Sequence, residues 1–283
     1  MKLKKILTGI DFGKDTNSVM AYAASFAGIF GSSVKLLYVI DYLVTPPTYL
    51  TPYIAEEKKV AEKKFETLKR QLTDAEIGAE TEVIVGRLQE SFEAAAKKTG
   101  ADMLVLGFMS HVFRRSSSEK LIKGLQMPML VVRGEKAEPL RIGSVQIRSI
   151  LCPIDFSETS GKSLEIAKEL SGLFSAKLHV LYVSPDYMLK KMKISEDRDR
   201  ASRDLLERAN EKLTEFLGSH NLKDTGEIDE GEPDNRIVNF AKQKDIDLIV
   251  MGARGLGLIK GMLIGSVTDA VLKSSPCPVL VIH

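Results

Sequence analysis

Met251-Gly252-Ala253-Arg254-Gly255-Leu256-Gly257-Leu258-Ile259-Lys260-Gly261-Met262-Leu263-Ile264-Gly265-Ser266 follows directly on the apolar run Asp247-Leu248-Ile249-Val250 and leads into Val267-Thr268-Asp269-Ala270-Val271-Leu272. The first flank reads as a strand and the second as a helix. A strand, a glycine-spaced loop and a helix N-terminus opening on Gly-Ser form a place to hold phosphate. Glycines let backbone N–H groups come close to an anion, and some take φ > 0 without strain. The free N–H groups and the positive dipole end of the helix favour negative charge.

Other glycine patterns do not fit. The P-loop needs Gly-Lys-Ser or Gly-Lys-Thr after four intervening residues, and Gly252 to Gly257 is followed by Leu258. The dinucleotide pattern GxGxxG would need a glycine where Gly255-x-Gly257 reaches Lys260, and it belongs after the first strand. Ser117-Ser118-Glu119-Lys120 matches SxxK but stands without companion motifs.

Working outward, the chain repeats itself. Ile6-Leu7-Thr8-Gly9-Ile10-Asp11-Phe12 matches Ile150-Leu151-Cys152-Pro153-Ile154-Asp155-Phe156, and Leu37-Tyr38-Val39 matches Leu181-Tyr182-Val183 at the same spacing. Asp102-Met103-Leu104-Val105-Leu106-Gly107 matches Asp247-Leu248-Ile249-Val250-Met251-Gly252. Pro128-Met129-Leu130-Val131-Val132 matches Pro278-Val279-Leu280-Val281-Ile282. The period is domain-sized, so this is a tandem duplication rather than a solenoid. The expected division is one domain over 1–138, a polar linker over 139–147 and a second domain over 148–283.

Each half reads as alternating strands and helices. In the second half strands are expected near 148–154, 177–183, 225–230, 247–251 and 278–282. Helices are expected from Ser157, over about 196–217, and from Pro233, with proline suited to an early helical position. This alternation implies a parallel sheet with helices on both faces. Ligands of such sheets lie beyond the carboxyl ends of the strands, where strand order reverses.

Asp155, at the end of the first strand of the second half, is placed to accept from a ribose hydroxyl or a base amino group, or else to cap the following helix. Val183 and Met251 are apolar walls for a base, or core. Ser266 offers a helix N-terminal N–H and a hydroxyl, or a plain N-cap. Arg254 reaches phosphate, or is a solvated loop residue. The spacing of Gly252, Gly255 and Gly265 up to a helix N-terminus favours the ligand reading of the group as a whole.

Composition narrows the classes. Apolar residues make up 44% of 283 residues, and 40 basic against 38 acidic residues give a net charge of +2. That balance does not point to nucleic acid. No run approaches membrane-span length. Met1-Lys2-Leu3-Lys4-Lys5-Ile6-Leu7 reads as the first strand behind a lysine cluster, not as a secretory signal. The mixed-charge segment 56–64 reads as a solvated helix face. Cys152 and Cys277 read as buried thiols of a cytoplasmic protein. His111, His179, His220 and His283 lack metal-ligand spacing.

Gly252-x2-Gly255-x9-Gly265-Ser266, with Pro153-x-Asp155 and Pro276-Cys277-Pro278-Val279-Leu280-Val281, resembles the universal stress protein family. The match spans the second half, and weaker matches span the first. The resemblance implies two repeated Rossmann-like (adenine nucleotide alpha hydrolase-like) α/β domains, each a five-stranded parallel sheet with helices on both faces. It implies ATP or AMP as bound ligand, with Mg²⁺ accompanying ATP. Asp155, Val183, Gly252, Gly255, Gly265, Ser266 and Val267 would hold the nucleotide, with Pro153 and Met251 lining the adenine pocket. It further implies domain pairing within the chain, a homodimer, and a stress-response or regulatory role. A slow ATPase or nucleotidyl-transfer enzyme and a nucleotide-free interaction module are the alternatives.

The first half departs from the pattern. Asp11, Val39 and Gly107 are kept, but the loop is about five residues shorter. Ser110 stands at the place of Gly255, Arg115 at that of Gly265, with Ser116 after it, and Gly9 at that of Pro153. This half is expected to be a degenerate site and a structural partner, or else to hold a different anion, or reach a shared ligand, through Arg114 and Arg115. Phe108 and Phe113 read as packing or interface residues.

Overall fold

The computed structural model describes the backbone of residues 1–41, 47–108, 117–133, 140–184, 195–222, 226–255 and 263–283, and their side chains except at 47–50, 117–120 and 195–203. The chain divides into two compact units, Met1–Val145 and Gln146–His283.

Unit 1 runs β1 (Lys5–Gly9), α1 (Thr16–Phe30), β2 (Ser33–Ile40), α2 (Pro47–Asp74), β3 (Ala79–Val85), α3 (Leu88–Thr99), β4 (Met103–Gly107), α4 (Ser117–Gly124) and β5 (Met129–Val132). Its strands lie in the order β3-β2-β1-β4-β5, all parallel. Unit 2 runs β6 (Ser149–Ile154), α5 (Glu158–Phe174), β7 (Lys177–Ser184), α6 (Ser195–Ser219), β8 (Gly226–Glu230), α7 (Pro233–Gln243), β9 (Leu248–Gly252), α8 (Ser266–Ser274) and β10 (Val279–Ile282). Its order is β10-β9-β6-β7-β8, again parallel. Each unit is thus an α/β domain with a five-stranded parallel sheet and helices on both faces.

The burial pattern follows from residue type. Leu104, Val105, Leu130, Val131, Leu151, Ile249, Val250 and Leu280 are fully buried. Such continuous apolar runs suit strands covered on both faces. β3 and β8 instead carry Glu80, Glu82, Glu227 and Glu230 and stay partly exposed, which protects a strand from unwanted pairing.

Some of the internal repetition secures the fold. Asp102 Oδ2 accepts from the N–H groups of Lys4 (2.7 Å) and Lys5 (3.0 Å), and Asp247 Oδ2 accepts from those of Arg148 (2.9 Å) and Ser149 (3.1 Å). Each carboxylate fastens the start of the first strand of its unit beside the fourth. Phe12 and Phe156 both have left-handed backbone, φ 55° and 65°. Each is held by an aromatic group and a lysine. Phe12 lies 5.0 Å from Tyr38 and 5.1 Å from Phe65, with Lys64 over its ring. Phe156 lies 4.4 Å from Tyr182 and 5.5 Å from Phe216, with Lys212 over its ring. Left-handed backbone costs a bulky residue about 1 kcal/mol or more, and these contacts offset it.

In unit 2 the chain lays β7 and β8 on one side of β6, then returns to lay β9 and β10 on the other. The carboxyl ends of β6 and β9 therefore flank the point where strand order reverses.

Candidate functional site

A cleft of about 420 Å³ opens at that reversal point. Its walls come from the ends of β6, β7 and β9, the N-termini of α7 and α8, and Lys212 of α6. Pro153, Asp155, Val183, Met251, Gly252, Arg254, Gly255, Gly265, Ser266 and Val267 all line it. The structure therefore gathers every second-half residue singled out by the sequence.

The Asp155 side chain turns back on its own chain, and its Oδ1 accepts from Ser157 N at 3.1 Å. Capping of α5 falls to Ser157, whose hydroxyl accepts from Ser160 N at 3.1 Å. Asp155 is thus released from the capping role and lines the cleft. It also helps raise the pKa of Tyr182, after burial, which is the larger cause.

The glycines act through space rather than through backbone angle. None of Gly252, Gly255 and Gly265 takes a left-handed φ, while Gly257 and Gly261 lie outside the described residues. At Gly252 a Cβ would stand 2.9 Å from Thr159 Cγ2 and 3.1 Å from Arg254 O, so close packing against α5 excludes a side chain. At Gly255 a Cβ would collide with Asp155 Oδ2, so the carboxylate lies directly over the loop backbone. Gly265 differs. Its nearest neighbours would be Ala253 O and Arg254 Cα, both at 3.6 Å, which is ordinary contact. The described polypeptide leaves room at Gly265 for a methyl group.

Gly265 is the N-cap of α8, and its N–H donates to Ala253 O at 2.7 Å. Ser266 is accordingly the first helical residue rather than the cap, and it faces the cleft. The N–H groups of Ser266, Val267 and Thr268 precede the first hydrogen bond inside the helix, from Asp269 N to Gly265 O. They form the donor end of the site. Thr268 Oγ1 donates to Gly252 O at 2.8 Å and joins the helix start to the end of β9. Arg254 Nε donates to Leu263 O at 3.3 Å, bracketing the loop whose residues 256–262 lie outside the described set.

His283 follows β10 beside Arg254. Burial, and secondarily the Arg254 charge, lower its pKa to about 4 from the ordinary 6.5. Above pH 6.5 the ring is neutral in both folded and unfolded chains. Below it the unfolded chain takes up a proton that the folded chain refuses until about pH 4, so stability is lost as pH falls through that window. The gap sets a ceiling of about 3 kcal/mol, and partial exposure reduces it to roughly 1–2 kcal/mol. His283→Gln should shrink the fall in urea-unfolding free energy between pH 7 and 4.5 by that amount. An equal fall in both proteins would assign the pH dependence to other groups.

Sequence reasoning missed several wall residues, Phe156, Tyr182, Lys212, Pro233 and Ile237 among them. Phe156 and Tyr182 lie inside the repeated segments, so a signal was present. Lys212 and Ile237 arrive from helices without a local motif.

In unit 1, Asp11 follows β1 and makes the same kind of turn, its Oδ1 accepting from Gly13 N at 2.8 Å. Val39 is buried on β2, and a Cβ at Gly107 would stand 3.2 Å from Val19 Cγ2. Phe108 is buried with Arg133 over its ring, a packing role. Ser110, Phe113, Arg114, Arg115 and Ser116 lie outside the described residues.

Among the described residues no group of three or more His, Cys, Asp or Glu is placed to hold a metal, and no helix is long and apolar enough to cross a membrane. Cys152 and Cys277 are buried cysteines, and Cys277 N donates to Ser275 Oγ at 3.3 Å.

Comparison with known proteins agrees with this architecture. Universal stress protein YxiE of Bacillus subtilis is 32% identical over 148 residues, covering 47% of this chain and 97% of that protein. A universal stress protein of Mycolicibacterium smegmatis is 24% identical over 98% of this chain and 96% of its own length. The crystal structure of a universal stress protein from Archaeoglobus fulgidus superposes with a TM-score of 0.74 at 21% identity, covering 100% of this chain and 97% of that one, a likeness of fold. The model of the universal stress protein family matches residues 2–133 and again residues 146–283, so the chain belongs to that family, as a tandem pair of its domains.

Proposed function

We propose that unit 2 binds an adenine nucleotide in the cleft between β6 and β9, and that the protein acts as a regulatory binding protein of the stress response. The volume of about 420 Å³ falls within the range for small-ligand sites. One wall is apolar, from Pro153, Val183, Met251 and Ile237, and suits a base. Asp155 suits a ribose hydroxyl or a base amino group. The other end presents backbone donors at the start of α8 and suits phosphate. The observation that carries the reading is Gly265, where the described chain would accept a methyl group but glycine keeps the backbone bare beside three helix N–H groups.

Binding rather than turnover is the reading the walls support. Among the described lining residues Asp155 is the one carboxylate, and its Oδ1 accepts from Ser157 N. If ATP is the ligand, Mg²⁺ would arrive with the triphosphate, and Asp155 would be the carboxylate available to assist it. Signalling then follows from a difference in conformation, or in association with a partner, between the nucleotide-bound and free states.

Denaturing the purified protein and identifying the released nucleotide by chromatography and mass spectrometry tests this. About one adenine nucleotide per chain is expected, and its phosphate count names the ligand. No nucleotide, with none taken up after ATP and Mg²⁺ are added, would favour a nucleotide-free interaction module instead.

A further inference from the structure

The two units can be compared place by place. Gly9 pairs with Leu37 on β2 as Pro153 pairs with Leu181 on β7, so both occupy the same position near the end of the first strand. Helix α3 precedes β4 by the spacing with which α7 precedes β9. That spacing puts Phe92 at the place of Ile237 and Leu106 at that of Met251. Pro153, Ile237 and Met251 are walls of the cleft in unit 2.

In unit 1 the same three places close on one another. A Cβ at Gly9 would stand 3.0 Å from Phe92 Cζ, 3.2 Å from Cε1 and 3.8 Å from Leu106 Cβ. Phe92 is only 3% exposed. Its ring tip crowds the point from which a side chain at residue 9 would start, the register position that Pro153 holds in unit 2. The residue types at the two places are complementary in volume: a large ring meets a bare backbone in unit 1, and in unit 2 a proline and a smaller aliphatic residue both line the cleft. Aromatic rings and purine bases are flat apolar bodies of similar thickness, so the site that suits one suits the other.

We propose that Phe92 is the built-in occupant of the base pocket of unit 1, closing it independently of the altered loop and limiting the chain to one nucleotide. This rests on reading the cleft of unit 2 as the nucleotide site.

The test counts adenosine bound per full-length chain by equilibrium dialysis. Adenosine carries no phosphate, so the shortened loop of unit 1 is not called upon. The unmodified chain is expected to take one. The variant Gly9→Pro/Phe92→Ile, which copies unit 2, is expected to take two. The reciprocal variant Pro153→Gly/Ile237→Phe, which copies unit 1, is expected to take none. A folded Gly9→Pro/Phe92→Ile chain that still takes one, or a reciprocal variant that keeps its binding, overturns the assignment of Phe92. If the first variant does not fold, the reciprocal one decides. An unmodified chain that takes none overturns the reading of unit 2, and the Phe92 assignment with it.

Discussion

Gly265→Arg is expected to abolish nucleotide binding, by at least about 100-fold in Kd, while the melting temperature stays near that of the unmodified chain. The two effects separate because of what surrounds residue 265. Its φ of −75° and ψ of 159° suit any amino acid. Among the described residues a Cβ would meet nothing closer than 3.6 Å, so the first atom of a side chain fits there. The remaining atoms would extend beside the start of α8, where the proposed phosphate would lie. Arginine also copies the sequence of unit 1, where Arg115 stands at the corresponding place. Isothermal titration with the nucleotide identified in the released fraction, alongside thermal unfolding, reads both effects. Retained affinity in a folded variant would remove the start of α8 as the phosphate site. Loss of both affinity and fold would mean that the region beyond the Cβ is filled by the chain itself.

What the sequence made legible has a physical pattern. Repetition at domain spacing located the strands to within about a residue, since runs such as Leu248-Ile249-Val250 bury on both faces whatever their partners. It also flagged Asp102 and Asp247, whose shared work is to fasten strand starts. The glycine loop was legible because its spacing is local. Its reason was not. Positive φ is the usual motive for glycine, yet Gly252 and Gly255 answer to Thr159 and Asp155, which approach from other elements and leave no trace in the loop sequence. Ser157 and Asp155 were interchangeable as helix caps on paper, and only the geometry divides them. Ile237 and Lys212 enter the cleft from α7 and α6. In unit 1 the sequence pointed to the loop and to Gly9, while Phe92, which meets Gly9, sits in a helix whose apolar spacing looks like any other.

The coupling between the loop and the first strand leads to the second large effect. Gly255→Ala places a methyl group where Asp155 Oδ2 now lies. A short side chain yields more readily than two backbones, so the carboxylate should turn away and give up its bond to Ser157 N. Folding stability is expected to fall by only about 1 kcal/mol, the worth of one such hydrogen bond. Nucleotide affinity is expected to fall about 100-fold, because the substitution moves both the Asp155 acceptor and the loop backbone. Asp155→Ala removes the obstacle and should cost affinity by itself. The informative measurement is therefore the double variant. If Gly255 is a glycine in order to admit the Asp155 carboxylate, adding Gly255→Ala to Asp155→Ala should cost little more, with a coupling of at least about 1 kcal/mol in the cycle of Kd values. Strict additivity would show that residues 155 and 255 meet the nucleotide independently, and that the close approach of the carboxylate to the loop belongs to the unliganded state alone.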